Sequence, residues 1–201
     1  YLEIKDSDGN TATTGYTYDI DNNILQINTE GTYTIVPMVE GEISERIVIN
    51  KTVNITLDNV NINTSTGAAL EVQGNNAENA SDNITATIKL KGENTLTPTG
   101  RNYAGLQLSN GANLILNGGE YVGSLFVDAS EGNDSAGIGG GNGGIAGNIT
   151  IIDGLINTYG GICGGGIGSG NHGKVGNITI SGGTVAAIGG SFGPGIGSGS
   201  E

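Results

Sequence analysis

Short blocks of alternating apolar and polar residues recur along the chain. In Asn148-Ile-Thr-Ile151 and Asn177-Ile-Thr-Ile180, isoleucine falls on one face of an extended strand, and asparagine and threonine fall on the other. Related blocks begin at Asn54, Asn83 and Asn113. Nowhere do apolar residues follow the roughly 3.6-residue spacing of an amphipathic helix, and glycine or proline interrupts the chain every few residues. The pattern predicts an all-β protein.

These blocks recur at a nearly constant spacing. From Asn54 onwards, most successive blocks lie about 29 residues apart, and only the step from Asn113 to Asn148 is clearly longer. A second block, Gly-Ile-Gly, is centred on Ile138, Ile167 and Ile196 and therefore keeps the same spacing. An internal period of this length is typical of architectures in which one structural unit stacks on the next.

Each repeat has room for three short strands. Leu155-Ile-Asn-Thr-Tyr159 and Thr184-Val-Ala-Ala-Ile188 follow their Asn-Ile-Thr-Ile blocks after a turn that contains glycine, and the Gly-Ile-Gly block supplies a third strand. We therefore predict a right-handed parallel β-helix with about 29 residues per coil, in which Ile149 lies over Ile178. The same alignment predicts a ladder of outward threonines at Thr56, Thr85, Thr150 and Thr179.

The beginning of the chain lacks this repeat. Residues 1–45 contain β segments with turns between them, and the end of a stacked structure needs a cap that covers its core and its strand edges. We predict one domain, in which residues 1–45 form an N-terminal β cap with a first irregular coil. Residues 46–201 form the repeats. The last repeat stops part-way at Glu201, which predicts that the natural protein continues.

The composition limits the classes of partner. Twenty acidic residues against seven basic ones give a net charge of −13, which disfavours nucleic acid and anionic membranes but attracts cations such as Ca²⁺. No apolar run is long enough for a transmembrane helix, so membrane insertion is not expected. Cys163 is the single cysteine and forms no disulfide within the chain. The charge suits a soluble extracellular protein.

Several segments together resemble a known group of proteins. They are Arg46-Ile-Val-Ile-Asn50, Val53-Asn-Ile-Thr-Leu57, Leu90-Lys-Gly-Glu-Asn-Thr-Leu96, Ala104-Gly-Leu-Gln-Leu108 and Ala136-Gly-Ile-Gly-Gly-Gly-Asn-Gly-Gly144. Over about residues 30–201 the chain is similar to Gly-rich right-handed β-helix modules of bacterial secreted and surface proteins, which are described as carbohydrate-binding or adhesin-like. The resemblance implies an extracellular, non-catalytic module, sometimes with bound Ca²⁺ and with pectic or cellulosic ligands. It transfers no set of binding residues.

One step in the repeat contains an insertion. The step from Asn113 to Asn148 is about six residues longer than the usual period, and the extra residues fall near positions 124–134. Insertions in a stacked repeat become loops, often on the binding face. This loop carries four oxygen ligands of the kind that Ca²⁺ prefers, at Asp128, Glu131, Asn133 and Asp134. These four residues are therefore candidates for a calcium site, and a solvated acidic loop is the simpler interpretation.

Aromatic residues are the second kind of candidate, because aromatic rings commonly stack on sugars in carbohydrate-binding modules. The chain has no tryptophan, and we expect Tyr103 and Phe126 to contact carbohydrate. Tyr159 aligns with Ile188 one period later, which favours a position in the core.

Motifs typical of enzymes are incomplete. Gly168–Lys174 matches most of a phosphate-binding loop, but Val175 stands where Ser or Thr would hold Mg²⁺, and a strand rather than a helix is predicted to follow. Cys163 and His172 could form a nucleophile pair, although a corner-filling thiol explains Cys163 better. Asp134 and Asp153 are the one carboxylate pair to consider for acid–base chemistry, which needs two carboxyl groups roughly 5–10 Å apart.

The sequence as a whole favours a non-catalytic extracellular module on a bacterial surface that binds polysaccharide, with or without Ca²⁺. One alternative is an adhesive or structural stalk segment that binds a host or neighbouring protein. The other is a polysaccharide lyase or hydrolase. Nothing in the sequence specifies the ligand.

Overall fold

The structure, a computed structural model, describes residues 1–74, 83–119, 123–131 and 134–200. These residues contain no helix and form strands β1 to β22. In chain order the strands are β1 Leu2–Lys5, β2 Tyr16–Asp19, β3 Ile24–Ile27, β4 Gly31–Pro37, β5 Arg46–Ile49, β6 Val53–Asp58, β7 Asn61–Thr64, β8 Leu70–Val72, β9 Ile84–Lys91, β10 Glu93–Pro98, β11 Leu106–Leu108, β12 Ala112–Asn117, β13 Ser124–Asp128, β14 Ile138–Gly139, β15 Ile145–Ala146, β16 Asn148–Ile151, β17 Leu155–Tyr159, β18 Ile167–Gly168, β19 Lys174–Val175, β20 Ile178–Ile180, β21 Thr184–Ile188 and β22 Ile196–Gly197. The predicted all-β class is confirmed.

Most strands belong to three sheets. The seven-stranded sheet has the order β1-β4-β6-β9-β12-β16-β20, the five-stranded sheet β21-β17-β13-β10-β7, and the eight-stranded sheet β2-β3-β5-β8-β11-β14-β18-β22. A fourth, small sheet pairs β15 with β19. Among these strands of the described residues, only β1 with β4 and β2 with β3 pair antiparallel. All the other ladders are parallel, so the antiparallel pairs lie at one end of the two sheets that contain them.

The chain enters the three large sheets in a fixed order. From β6 onwards it passes through the seven-stranded, the five-stranded and the eight-stranded sheet in turn, and it repeats this order up to β22. Each strand pairs with the strand that occupies the same place in the next round, as in Ile149↔Ile178 and Ile138↔Ile167. The predicted pairing of Ile149 with Ile178 is therefore confirmed.

Alternation of apolar and polar residues decides which side chains are buried. In the seven-stranded sheet, one ladder position is apolar in every round from β6 to β20 and is occupied in turn by Ile55, Ile88, Leu116, Ile151 and Ile180. All of these except Ile180, on the edge strand, are buried. Neighbouring parallel strands lie about 4.8 Å apart, so each aliphatic side chain packs on the next in a continuous core.

The register of two earlier rounds differs from the prediction. Ile55 lies opposite Ile88, where the alignment of the blocks predicted Ile84, and Ile84 lies opposite Ala112, where it predicted Leu114. Both differences are even numbers of residues, so the buried and exposed faces are unchanged. The predicted threonine ladder is wrong in its first half for the same reason: Thr56 lies opposite Lys89. Its second half, Thr150 opposite Thr179, is confirmed.

Glycine is required where the Gly-Ile-Gly strands stack. Gly139 and Gly168 have φ angles of +134° and +150°, and both lie in the left-handed region that disfavours other residues. A side chain on Gly139 would overlap the carbonyl oxygen of Gly168, and one on Gly168 would overlap that of Gly197. The recurring glycine therefore lets successive backbones approach closely.

Candidate functional site

The outer face of the five-stranded sheet carries an aromatic pair. Along β13 the side chains of Leu125 and Val127 point into the core, so Phe126 points outward and is 38% exposed. Tyr159 stands at the end of the adjacent strand β17, also on the outer face. The two ring centroids are 5.7 Å apart with a tilt of 51°, a favourable aromatic contact.

Two exposed aliphatic side chains extend this pair. Leu155, on β17, is 45% exposed, and Ile188, on β21, is 47% exposed and lies opposite Tyr159 in the ladder. We call Phe126, Leu155, Tyr159 and Ile188 the aromatic face. It spans three neighbouring parallel strands and offers apolar surface on an exposed sheet.

The expectation that Tyr159 lies in the core is wrong. Its alignment with Ile188 is correct, but Ile188 itself lies on the outer face. Alignment with an aliphatic residue does not show which face of the sheet a residue is on. The side chains of β17 that point into the core are Ile156 and Thr158. Counting alternate residues from the buried Ile156 would have placed Tyr159 correctly.

The second aromatic residue predicted to bind carbohydrate, Tyr103, lies at a different place. It lies in the segment between β10 and β11, it is 36% exposed, and its ring packs beside Gly100. The carbonyl oxygen of Ser65 lies close to the same point of Gly100. Tyr103 therefore stands beside Ser65 and does not belong to the aromatic face.

Ser65 is part of a cleft, with a volume of about 450 Å³, that sequence reasoning did not identify. We call it the Arg46 cleft. Its walls are the turn between β2 and β3, the segment before β5, and the carboxyl ends of β7 and β10. The residues that line it are Asp21, Asn22, Asn23, Ile24, Glu42, Ser44, Arg46, Asn63, Thr64, Ser65, Thr66 and Thr99. They come from four separate stretches of chain, so no local motif could reveal the cleft.

Arg46 is held in place by its surroundings. Its Nη2 donates to Glu71 Oε2 at 3.0 Å, its Nε donates to the carbonyl oxygen of Ala68 at 2.8 Å, and both charged side chains are largely buried. A side chain at Gly67 would overlap the guanidinium group, so glycine there leaves room for it. The positive charge of Arg46 is therefore neutralised by Glu71 rather than directed at a ligand.

The structure describes only part of the predicted calcium loop. Asp128 ends β13, and its Oδ1 accepts a hydrogen bond of 3.0 Å from the backbone N–H of Ser130. Glu131 is exposed, Asp134 is half-buried, and Asn133 lies outside the described residues. Within the described part of the chain, no group of three or more His, Cys, Asp or Glu side chains is placed to hold a metal ion. The calcium site stays a prediction.

The residues of the enzyme-like motifs lie in turns and in short strands. His172 sits in a turn with a φ of +52°, and its backbone N–H donates to the carbonyl oxygen of Ser200. Lys174 begins the short strand β19, so no helix follows the Gly168–Lys174 segment, as expected. Cys163 is a half-buried free thiol. Across the described residues, no helix has the length and hydropathy to cross a membrane.

Comparison with known proteins finds no matching family model, no matching curated protein and no matching solved structure. The resemblance to bacterial β-helix modules therefore stays a prediction, and the function has to be argued from the surfaces described above.

Proposed function

We propose that the three large sheets are the sides of one right-handed parallel β-helix. The repeated passage through the sheets in a fixed order supports this arrangement, and so do the parallel ladders in which each strand meets its counterpart one round later. The antiparallel strands β1 and β2 then cap the amino-terminal end.

On this architecture the chain is a non-catalytic, extracellular polysaccharide-binding module of a bacterial surface or secreted protein. The observation that carries the proposal is the aromatic face, where Phe126 and Tyr159 present paired rings on an exposed sheet. A sugar ring has apolar C–H faces that pack on aromatic rings, and a flat array of neighbouring strands suits an extended polymer. Exposed apolar patches on otherwise polar surfaces commonly mark binding sites.

Loss of either ring of the aromatic face should weaken polysaccharide binding. Phe126→Ala and Tyr159→Ala each remove a ring from an outward position, so the fold is retained and polysaccharide affinity falls about tenfold or more, equivalent to ~1.4 kcal/mol. Affinity is measured by titration with the polysaccharide that binds best on a glycan array. Phe192→Ala is the matched control, because Phe192 is 71% exposed in a turn outside the aromatic face, and we expect it to leave affinity unchanged.

The array is probed with and without a chelator, which tests the calcium prediction at Asp128, Glu131, Asn133 and Asp134 separately. If the chelator abolishes binding, a calcium-assisted site is supported. If binding is unchanged in the presence of the chelator, the aromatic face alone is supported. No signal in either condition contradicts the proposed function and favours the alternative of an adhesive stalk segment.

A further inference from the structure

We propose that the Arg46 cleft is a second sugar-binding site and that it takes an uncharged sugar unit, which makes neutral polysaccharide the ligand class. The inference rests on the proposed function, because it assigns a saccharide to a cavity that shares a sheet with the aromatic face. A volume of about 450 Å³ lies within the range of roughly 300–1,000 Å³ that is usual for small-ligand sites.

The lining of the cleft matches the chemistry of a sugar. Hydroxyl groups come from Ser44, Thr64, Ser65, Thr66 and Thr99, and the amides of Asn22, Asn23 and Asn63 add both donors and acceptors. Ile24 provides the aliphatic part of the lining. The Thr64 and Thr66 hydroxyls share a hydrogen bond, and the Thr99 hydroxyl donates to the carbonyl oxygen of Thr64. A ligand that carries many hydroxyl groups can hydrogen-bond with such a polar wall, to which an apolar ligand is poorly matched.

The charges in the cleft select against anionic sugars. Asp21 and Glu42 each contribute a carboxylate, and Arg46 is already paired with Glu71. Two of the five guanidinium N–H donors are used in the bonds to Glu71 and Ala68. The Glu71 carboxylate offsets the positive charge of Arg46, which weakens its attraction for a uronate carboxylate. The lining is therefore net negative, and it repels a negatively charged saccharide unless a cation intervenes.

The position of the cleft allows one polymer to reach both sites. Asn63, at the carboxyl end of β7, lines the cleft and lies opposite Thr97 on β10, the strand that pairs with β13. Phe126 is thus two strands away, roughly 10 Å across the sheet at the usual strand spacing. Tyr103, packed beside Gly100 next to Ser65, adds an exposed ring near the cleft.

The test uses the 201-residue chain, calorimetric titration, and two hexasaccharide probes of opposite character, cellohexaose and hexagalacturonate. Ser44→Tyr places a ring in the cleft from an exposed position, and Ser7→Tyr is the matched control at an exposed turn elsewhere. We expect cellohexaose to bind with at least tenfold higher affinity than hexagalacturonate in the presence of chelator. Ser44→Tyr weakens cellohexaose binding at least tenfold, and Ser7→Tyr leaves it unchanged.

Backbone amide shifts in NMR spectra locate the ligand independently, and we expect cellohexaose to shift the amides of Ser65, Thr66 and Thr99. If Ser44→Tyr does not fold, Ser65→Tyr fills the cleft from its other wall. Tighter binding of hexagalacturonate overturns the inference, and so does cellohexaose binding that neither cleft variant weakens. If Phe126→Ala weakens cellohexaose binding that the cleft variants leave unchanged, the proposed function stands and only the cleft proposal fails. If no saccharide binds at all, both the proposed function and the cleft proposal are contradicted.

Discussion

Single side chains on β2 show what burial costs a polar group. The hydroxyl oxygen of Tyr18 is buried beside the Glu45 carboxylate, and among the described residues neither it nor Glu45 Oε2 has a partner in hydrogen-bonding geometry. Burial raises the pKa of Tyr18, and the nearby Glu45 carboxylate raises it further. Two residues earlier, the Tyr16 hydroxyl donates to the carbonyl oxygen of Ala12 at 3.2 Å. Tyr18 and Tyr16 therefore form a matched pair, because the same hydroxyl group is unsatisfied in one and bonded in the other.

We expect Tyr18→Phe to raise the free energy of unfolding by about 1 kcal/mol, because it removes a buried hydroxyl that gains no hydrogen bond. Tyr16→Phe should lower it by a similar amount. Urea titration monitored by circular dichroism measures both.

The raised pKa of Tyr18 also predicts that stability depends on pH. Above about pH 10 the unfolded chain releases the Tyr18 proton before the folded chain does, so stability falls as pH rises. Tyr18→Phe should make that alkaline loss shallower, and an equal or steeper loss would contradict the assignment.

Residue identity alone could not predict every buried position. The alternation of isoleucine and threonine correctly placed Ile149 and Ile178 in one ladder. Asn94, however, occupies a buried ladder position opposite Leu125. Its side chain accepts a hydrogen bond from the N–H of Val60 and donates to the carbonyl oxygens of Lys91 and Ser124. These partners come from different turns, so a pattern read along the chain contains no sign of them.

Among the elements, strand identity was predicted better than strand register. A period of two residues fixes which face is buried but is unchanged by a shift of two or four residues. The two misaligned steps, from Ile55 to Ile88 and from Ile84 to Ala112, have shifts of this kind. From Asn113 onwards the predicted register is confirmed, because Asn113 lies opposite Asn148 and Ile149 lies opposite Ile178. The Gly-Ile-Gly blocks keep the same register, because Gly139 lies opposite Gly168, and a Cβ on Gly139 would overlap the Gly168 carbonyl oxygen.

This requirement can be tested with two neighbouring glycines. Gly139→Ala should cost about 4 kcal/mol or more, because a Cβ there overlaps the Gly168 carbonyl oxygen and the φ of +134° is strained for alanine. Gly140→Ala should change stability by about 1 kcal/mol or less, because its nearest neighbour, the Gly144 carbonyl oxygen, would be 3.4 Å away. Denaturant titration compares the two. A Gly139→Ala chain as stable as Gly140→Ala would show that the stack is not tightly packed.

Across the whole molecule, the charged residues are unevenly distributed along the sequence. Between residues 135 and 200 the charged side chains are Asp153 and Lys174, so most of the net charge of −13 lies in the first two-thirds of the sequence. The sequence predicts that Phe126 contacts carbohydrate. The alignment of Tyr159 with Ile188 suggests a core position, although the alternation along β17 indicates an outward one. The aromatic face arises only when β13, β17 and β21 lie side by side. Its strands β17 and β21 carry no charge, which fits a neutral ligand.

Stability should be distributed along the stack according to how many neighbours each round has. Ile151 and Ile180 occupy the same ladder position one round apart, but Ile151 is 0% exposed between β12 and β20, whereas Ile180 is 40% exposed on the edge strand. In stacked repeats, stability is approximately a sum of unit and nearest-neighbour terms. In the 201-residue chain we therefore expect Ile151→Ala to cost about 2–5 kcal/mol. Ile180→Ala should cost about 1 kcal/mol or less. Urea unfolding measures both losses of stability. Equal losses would mean that the packing of β20 on β16 adds nothing to the stability of the round that contains Ile151.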